Sequence, residues 1–387
     1  MPVGDLSRPV SGASHAKLPG LHGLRALAAC AIVLLHTLRV PQPGLAVPHA
    51  LAPTIIHLRN GVALFFILSA FSLLYSNVAI VGRKGWVLIY LIKRFFRIAP
   101  LFYFMLVFYI VLSLYHGYQY GLTEIIANFL FVFNFVPDSY QSIVWAGWTI
   151  GVEIPFYLCV PLILIGVRNL RHAWILVATT AIVSIVSRLA FRDTTGFPSG
   201  LASMALSSNL VVFALGVLAF HMVQRRSQGW LPPLLAVFAV GGLLLMTFDV
   251  VSVSSANEAL DALVFAPPLT ALCLWQVLSP SRWLASPKLQ WMGERSYSIY
   301  LLHPFIVQQF AAHGAYTAID AWTGPWLGDW AFLISFALTL AAVAIAAAVA
   351  YQLIERPGQH LGTVLIHRLF GRAGGLTPLL AVAPRNP

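Results

Sequence analysis

What most limits the fold of this chain is a succession of apolar runs, each about as long as a bilayer is thick. Ten of them approach the ~20 residues that a helix needs to cross a ~30 Å hydrocarbon core. They lie near 21–40, 61–81, 98–115, 147–166, 173–191, 207–223, 231–248, 259–278, 294–311 and 331–354. In lipid each backbone N–H and C=O must find its partner within the segment, which makes runs of this length helices. An eleventh run, "IIANFLFVFNF" at 125–135, is about half the length of a crossing and reads as re-entrant or interfacial. The chain has 387 residues, 59% hydrophobic and 9% charged, with a mean hydropathy of +0.83. A soluble protein of this size needs far more charge to cover its surface. The expected fold is all-α, a polytopic integral membrane bundle of about ten transmembrane helices plus one short segment. Residues 18–358 read as one transmembrane domain, with cytoplasmic tails at 1–17 and 359–387.

The net charge of +11 raises the question of nucleic acid. Nucleic-acid binders gather their basic residues on one face; here they fall between the apolar runs, which is a topology signal, and no nucleic-acid partner is expected. With the N-terminus in the cytoplasm, all but Arg39, Arg59, Arg188 and Arg192 of the 23 Lys and Arg residues lie inside. Both termini are then cytoplasmic, as in a multi-pass protein of a bacterial inner membrane. A basic leader precedes the first run, but Arg25 within it and its length argue for a retained helix rather than a cleaved signal. Cys30, Cys159 and Cys273 sit inside apolar segments without CxxC or metal spacing, and read as small buried side chains. The histidines make no metal-ligand spacing either, so no metal is expected.

Ionisable residues inside such runs are costly, and several stand out. In "LHGLRALAACAIVLLH" (21–36), the eleven residues from Arg25 to His36 bring a helix back to within roughly 20° of its starting face and advance it about 16 Å. The span holding "WAGWTIGVEIPFYLCVP" (145–161) runs the other way, and residue counting puts Glu153 at the depth of His36 in the outer half of the membrane. Intramembrane acids pair or face a wet cavity, so His36 and Glu153 are expected to share one cavity, with Glu153 orienting and charging the imidazole. The same pair also reads as a structural polar clasp between two helices. Pro155 and Pro161 each free a backbone carbonyl and bend that helix, as cavity-lining helices often do.

At the cytoplasmic edge, "WVLIYLIKRFFRIAP" (86–100) places Lys93, Arg94 and Arg97 at helical spacing. The cluster suits a phosphate-bearing ligand, and equally an anchor in lipid headgroups. "SYSIYLLHPF" (296–305) carries Tyr297, Tyr300 and His303 just before Pro304, where a buried His also reads as a packing residue. Ser69 and Ser72 in "GVALFFILSAFSLLYS" (61–76) are of the kind that glues membrane helices. Glu355-Arg356-Pro357 reads as an interfacial ion pair closing the last span.

Taken in order, these segments resemble the membrane acyltransferase family 3, integral-membrane O-acyltransferases of surface sugars and related acceptors. The resemblance spans roughly residues 18–358 and rests on the first-helix Arg, ten residues, His pattern, "GVALFFILSAFSLLYS", "KRFFRIAP", "WTIGVEIPFYLCVP", "SYSIYLLHP" and "YQLIERP". Two positions depart from it: His22 stands where the family usually has Asp, and Ala70 where it has Gly. Both adjoin matched residues, and the resemblance ties such departures to a modified donor site or acceptor specificity.

The resemblance implies transfer of an acyl group, commonly acetyl, from cytoplasmic acyl-CoA to a hydroxyl of a carbohydrate or related acceptor. Acyl-CoA is then a co-substrate, with no tightly bound cofactor. His36 becomes the catalytic base or a transient acyl carrier, with Glu153 beside it; Arg25, Lys93, Arg94 and Arg97 become the coenzyme A site. Trp148, Tyr297, Tyr300, His303 and Ser69 become substrate contacts. The alternative is a proton-coupled transporter or flippase with a His/Glu relay. Such proteins often carry internal repeats, and the chain has no repeat of fixed period.

Overall fold

A computed structural model of the chain describes residues 18–191, 200–224, 229–247 and 258–371. The expected tail at 1–17, residues 372–387, and Arg192, Arg225 and Arg226 lie outside the described residues. Each expected span is a helix. The first are α1 (Pro19–Arg39), α2 (Gly61–Asn77) and α3 (Trp86–Tyr115). After a short α4 (Leu122–Phe129) come α5 (Trp148–Gly166), α6 (Leu170–Ala190), α7 (Leu206–Val223), α8 (Leu231–Thr247) and α9 (Glu258–Leu278). The chain continues through α10 (Pro287–Glu294), α11 (Ser296–Ala312), α12 (Ala315–Leu327), α13 (Phe332–Ala350) and α14 (Arg356–Phe370). Among the described residues there is no strand. Within the described residues, seven continuous helical stretches are long and apolar enough to cross a membrane. The remaining expected spans are helices as well: α8 and α9 hold shorter apolar stretches, and α11 runs over the 17 residues Ser296–Ala312.

Helix α1 packs against α2, α9, α10, α11 and α13, which makes it the axis of the bundle. Small residues allow this close approach: a Cβ on Gly23 would stand 2.2 Å from the Leu284 carbonyl oxygen, and one on Gly293 of α10 would stand 2.0 Å from that of His22. His22 is therefore part of the α1–α10 seam. Ala70 plays a similar role between α2 and α7, where it faces Gly216; a Cβ there would lie 2.7 Å from the Ala70 methyl. Helix α6 shows the opposite pattern. Trp174, Ile175, Ile182 and Val186 are exposed and form a lipid-facing surface, whereas Ala173, Ser184 and Arg188 turn inward.

The short 125–135 run does not cross. Helix α4 ends at Phe129, and the chain turns through Phe131 (φ 59°) into a 3-10 turn at Phe133–Phe135. Asn128 ties the following loop to it: its Oδ1 accepts from Ser142 Oγ (2.7 Å) and Ile143 N (3.0 Å), and its amide donates to the Glu124 carbonyl (2.9 Å). Ser142 (φ 76°) and Ala146 (φ 64°) hold left-handed conformations that these bonds and the surrounding packing maintain.

The chain end differs from expectation. Residues 356–370, most of which fall in the expected cytoplasmic tail, form α14, whose Gly358 and Gly362 lie against Pro100 and Phe96 of α3. A π-helical turn, Tyr351–Glu355, precedes it and carries the fully buried Glu355. Glu355 accepts from Arg97 and Ser298, while Arg356 donates to Gln352 (3.2 Å). The expected Glu355–Arg356 pair is thus a Glu355–Arg97 pair, because the wider turn rotates neighbouring side chains onto different faces.

Candidate active site

Among the cavities formed by the described residues, two concern Arg25 and His36, whose eleven-residue spacing puts one of these side chains in each. A small chamber of about 310 Å³ is lined by Arg25, Ser69, Ser72, Arg94, Arg97, Glu153, Tyr157 and Tyr297. A large chamber of about 1150 Å³ is lined by His36, Tyr109, Trp145, Trp148 and Arg188, with Gln141 and Asn209 among its amides. Val62 and Tyr300 line both and form the partition.

In the small chamber most polar groups already have partners. Arg25 donates to Ser72 Oγ (3.1 Å). The Tyr157 hydroxyl donates to Glu153 (2.8 Å), with Ser69 Oγ 3.2 Å from the same phenolic oxygen. Pro161, lacking an N–H, frees the Tyr157 carbonyl four residues earlier, and Tyr90 donates its hydroxyl to that carbonyl (3.0 Å). Arg97 pairs with Glu355, reaches the Glu294 carbonyl (3.2 Å), and lies with its guanidinium carbon 5.8 Å from the Tyr297 ring centre. Tyr297 in turn donates to the Ile98 carbonyl (2.9 Å). Arg94 differs: its Nε is buried at the chamber without a hydrogen-bond partner. Of the four expected cations, Arg25, Arg94 and Arg97 converge on this chamber, and Lys93 lines neither.

In the large chamber His36 Nδ1 lies 2.8 Å from His303 Nε2, and His303 Nδ1 lies 2.6 Å from the Tyr300 carbonyl oxygen. The two rings are inclined by only 29° and meet edge to edge, with Trp145 6.3 Å from His36 between ring centres. The expected His36–Glu153 pair is not formed. No hydrogen bond joins the two among the described residues, and each lines a different chamber. Residue counting fixed their heights along α1 and α5 but not the directions in which they point. Glu153 turns to Tyr157, its i+4 neighbour on the same helix face, and Tyr300 stands in the partition. The expected substrate contacts divide likewise: Trp148 lines the large chamber, Ser69 and Tyr297 the small one, Tyr300 both, and His303 is fully buried behind His36.

Among the lining residues that the sequence did not single out, Arg188 and Tyr109 carry the most chemistry. Arg188, 1% exposed, donates from Nε to the Ser208 carbonyl (3.0 Å) and from Nη2 to Asn209 Oδ1 (3.5 Å) at the wall of the large chamber. Counted above among the outside charges, it lies within the apolar run 173–191, and an intramembrane arginine was itself the signal. Tyr109 presents a buried hydroxyl with no hydrogen-bond partner to the same chamber; nothing in its local sequence separates it from its aromatic neighbours.

Comparison with known proteins gives the family to which the chain belongs. Nodulation protein 10 of Rhizobium leguminosarum bv. viciae is 28% identical over 379 residues, covering 89% of this chain and 94% of the relative. No solved structure matches the chain. A family model described as an acyltransferase domain matches residues 18–350, which include both chambers apart from the Glu355 clamp. The chain is a membrane acyltransferase of the acyltransferase-3 family.

Proposed function

We propose that this enzyme transfers an acyl group, commonly acetyl, from acyl-CoA in the small chamber to a hydroxyl of a carbohydrate or related acceptor in the large one. The observation that carries this reading is the pair of chemically different chambers meeting at Tyr300, with His36 on the side of the larger. Coenzyme A carries several phosphate charges. Arg25 and Arg94 offer planar donors to them, while Arg97, already engaged by Glu355, holds the chamber wall. Glu153 lines the same chamber and offsets part of their charge. The large chamber supplies indole and phenol faces with amide and guanidinium donors, the mixture that suits a polyhydroxylated ring.

In the reaction His36 takes the proton of the acceptor hydroxyl as its oxygen attacks the thioester carbonyl. The carbon–sulfur bond then breaks, the thiolate takes the proton from His36, and the products are the O-acyl acceptor and free coenzyme A. No net oxidation occurs. The positive-inside distribution of Lys and Arg supports an inner-membrane protein whose termini and small chamber face the cytoplasm, the compartment that supplies acyl-CoA. His22 and Ala70 pack helices together and line neither chamber, so these departures fit a repacked scaffold rather than an altered site. A proton-coupled transporter with a His36–Glu153 relay is the less favoured reading, since the two groups have separate partners.

The test uses purified protein in nanodiscs with acetyl-CoA, measuring free thiol with and without a panel of glycan acceptors. Acceptor-dependent thiol release, with equimolar acetyl gain on the acceptor, is the expected result. A proton-coupled substrate flux with no thiol release would replace this reading with transport.

A further inference from the structure

Helix α11 contains a local device that bears on His36. An α-helix bonds each N–H to the carbonyl four residues earlier, and Pro304 has no N–H to give. The carbonyl left over is that of Tyr300, which is where His303 Nδ1 is found, 2.6 Å away. A carbonyl oxygen accepts and never donates, so Nδ1 of His303 carries a proton. A neutral His303 then presents Nε2 as a lone pair, and the 2.8 Å contact requires His36 Nδ1 to donate to it. His36 is left with its own lone pair on Nε2, on the ring edge turned away from the buried His303.

Building on the acyl-transfer reading, we propose that His303 is a positioning residue. Anchored on the carbonyl that Pro304 frees, it holds His36 in the Nδ1–H tautomer, with Nε2 open to accept the acceptor's proton. This is the task that sequence reading gave to Glu153. When His36 is protonated, its Nδ1–H stays bonded to His303, whose own N–H stays on the Tyr300 carbonyl. The charge forms inside an existing chain of donors and acceptors, where a low-dielectric surrounding strengthens each bond. His303 touches no reacting atom.

Two readouts test this, one of them independent of turnover. In protein labelled with 15N-histidine and reconstituted without substrate, His36 is expected to show a protonated Nδ1 and a bare Nε2. His303→Leu should shift that signal toward the Nε2–H form and lower kcat on the order of 10²-fold or more, the scale of a misdirected general base, with donor KM unchanged. His303→Gln keeps an amide N–H for the Tyr300 carbonyl and an amide oxygen for His36 Nδ1. It should restore both the tautomer and most of kcat. Pro304→Ala returns a competing N–H to that carbonyl and should give a smaller shift in the same direction. An Nε2–H His36 in the wild-type protein, or equal kcat in His303→Leu and His303→Gln, would overturn the proposal. If wild-type protein shows the expected tautomer but never releases thiol, the acyl-transfer reading fails while the His303 assignment stands.

Discussion

The two chambers differ in how far their polar groups are satisfied before any substrate arrives. In the small one, Arg25, Glu153 and Arg97 each hold a side-chain partner, and Arg94 Nε is the exception. In the large one the two imidazoles satisfy each other in series, which turns one ring nitrogen outward, and the Tyr109 hydroxyl is unpartnered. A charged wall that is already internally bonded can bind a charged donor without changing shape. A site that must move a proton needs an atom deliberately left over. The contrast separates binding from chemistry, and each half can be perturbed alone.

The largest effect should come from His36→Ala, which removes the proposed base. Transfer should fall by about 10²–10⁴-fold at equal membrane abundance, measured as acceptor-dependent thiol release. Full activity in this variant would end the general-base assignment. Next in size is Arg97→Ala, which leaves the fully buried Glu355 without its cation. Breaking a buried pair costs about 3–5 kcal/mol, so abundance and melting temperature should drop. Adding Glu355→Gln should recover much of the loss. An Arg97→Ala protein of normal stability with only a raised donor KM would instead make Arg97 a phosphate ligand.

Arg94→Ala should behave in the opposite way. Losing one charge-assisted contact of about 1.5–3 kcal/mol should appear as a raised donor KM with little change in kcat and normal abundance. Arg94→Lys should be only partly tolerated, because the planar fork is lost. Glu153→Gln keeps an acceptor for the Tyr157 hydroxyl and should likewise move donor KM more than kcat; a selective kcat collapse would return Glu153 to the chemistry. The smallest effect should be that of Gly216→Ala, which forces a methyl against Ala70 and the Ile67 carbonyl. Overpacking of this kind costs about 1–3 kcal/mol. It should lower thermal stability without altering either KM, and Ala70→Gly in the same protein should relieve part of it.

Much of this was legible in the chain. The apolar runs gave each long helix, and the Arg25–His36 spacing placed one helix face along both chambers. What residue counting lacked was direction around the helix axis. Glu153 and His36 share a depth, but Glu153 finds Tyr157 one turn on along its own helix. The anchor of His303 was also legible, in the four-residue offset from Pro304 to the Tyr300 carbonyl that it frees, whereas the pairing of His303 with His36 joins positions 267 residues apart and was not. The Arg97–Glu355 pair was not legible, because it joins positions 258 residues apart through a π-helical turn that no local pattern announces.

The most direct test of the division between binding and chemistry measures donor affinity and turnover on one preparation of His36→Ala in nanodiscs. Acetyl-CoA should bind as it does to the wild-type protein, by calorimetry or fluorescence, while acceptor-dependent thiol release disappears. Thiol release at the wild-type rate, or a loss of donor binding that matches the loss of turnover, would contradict the placement of His36 at the acceptor side as the base.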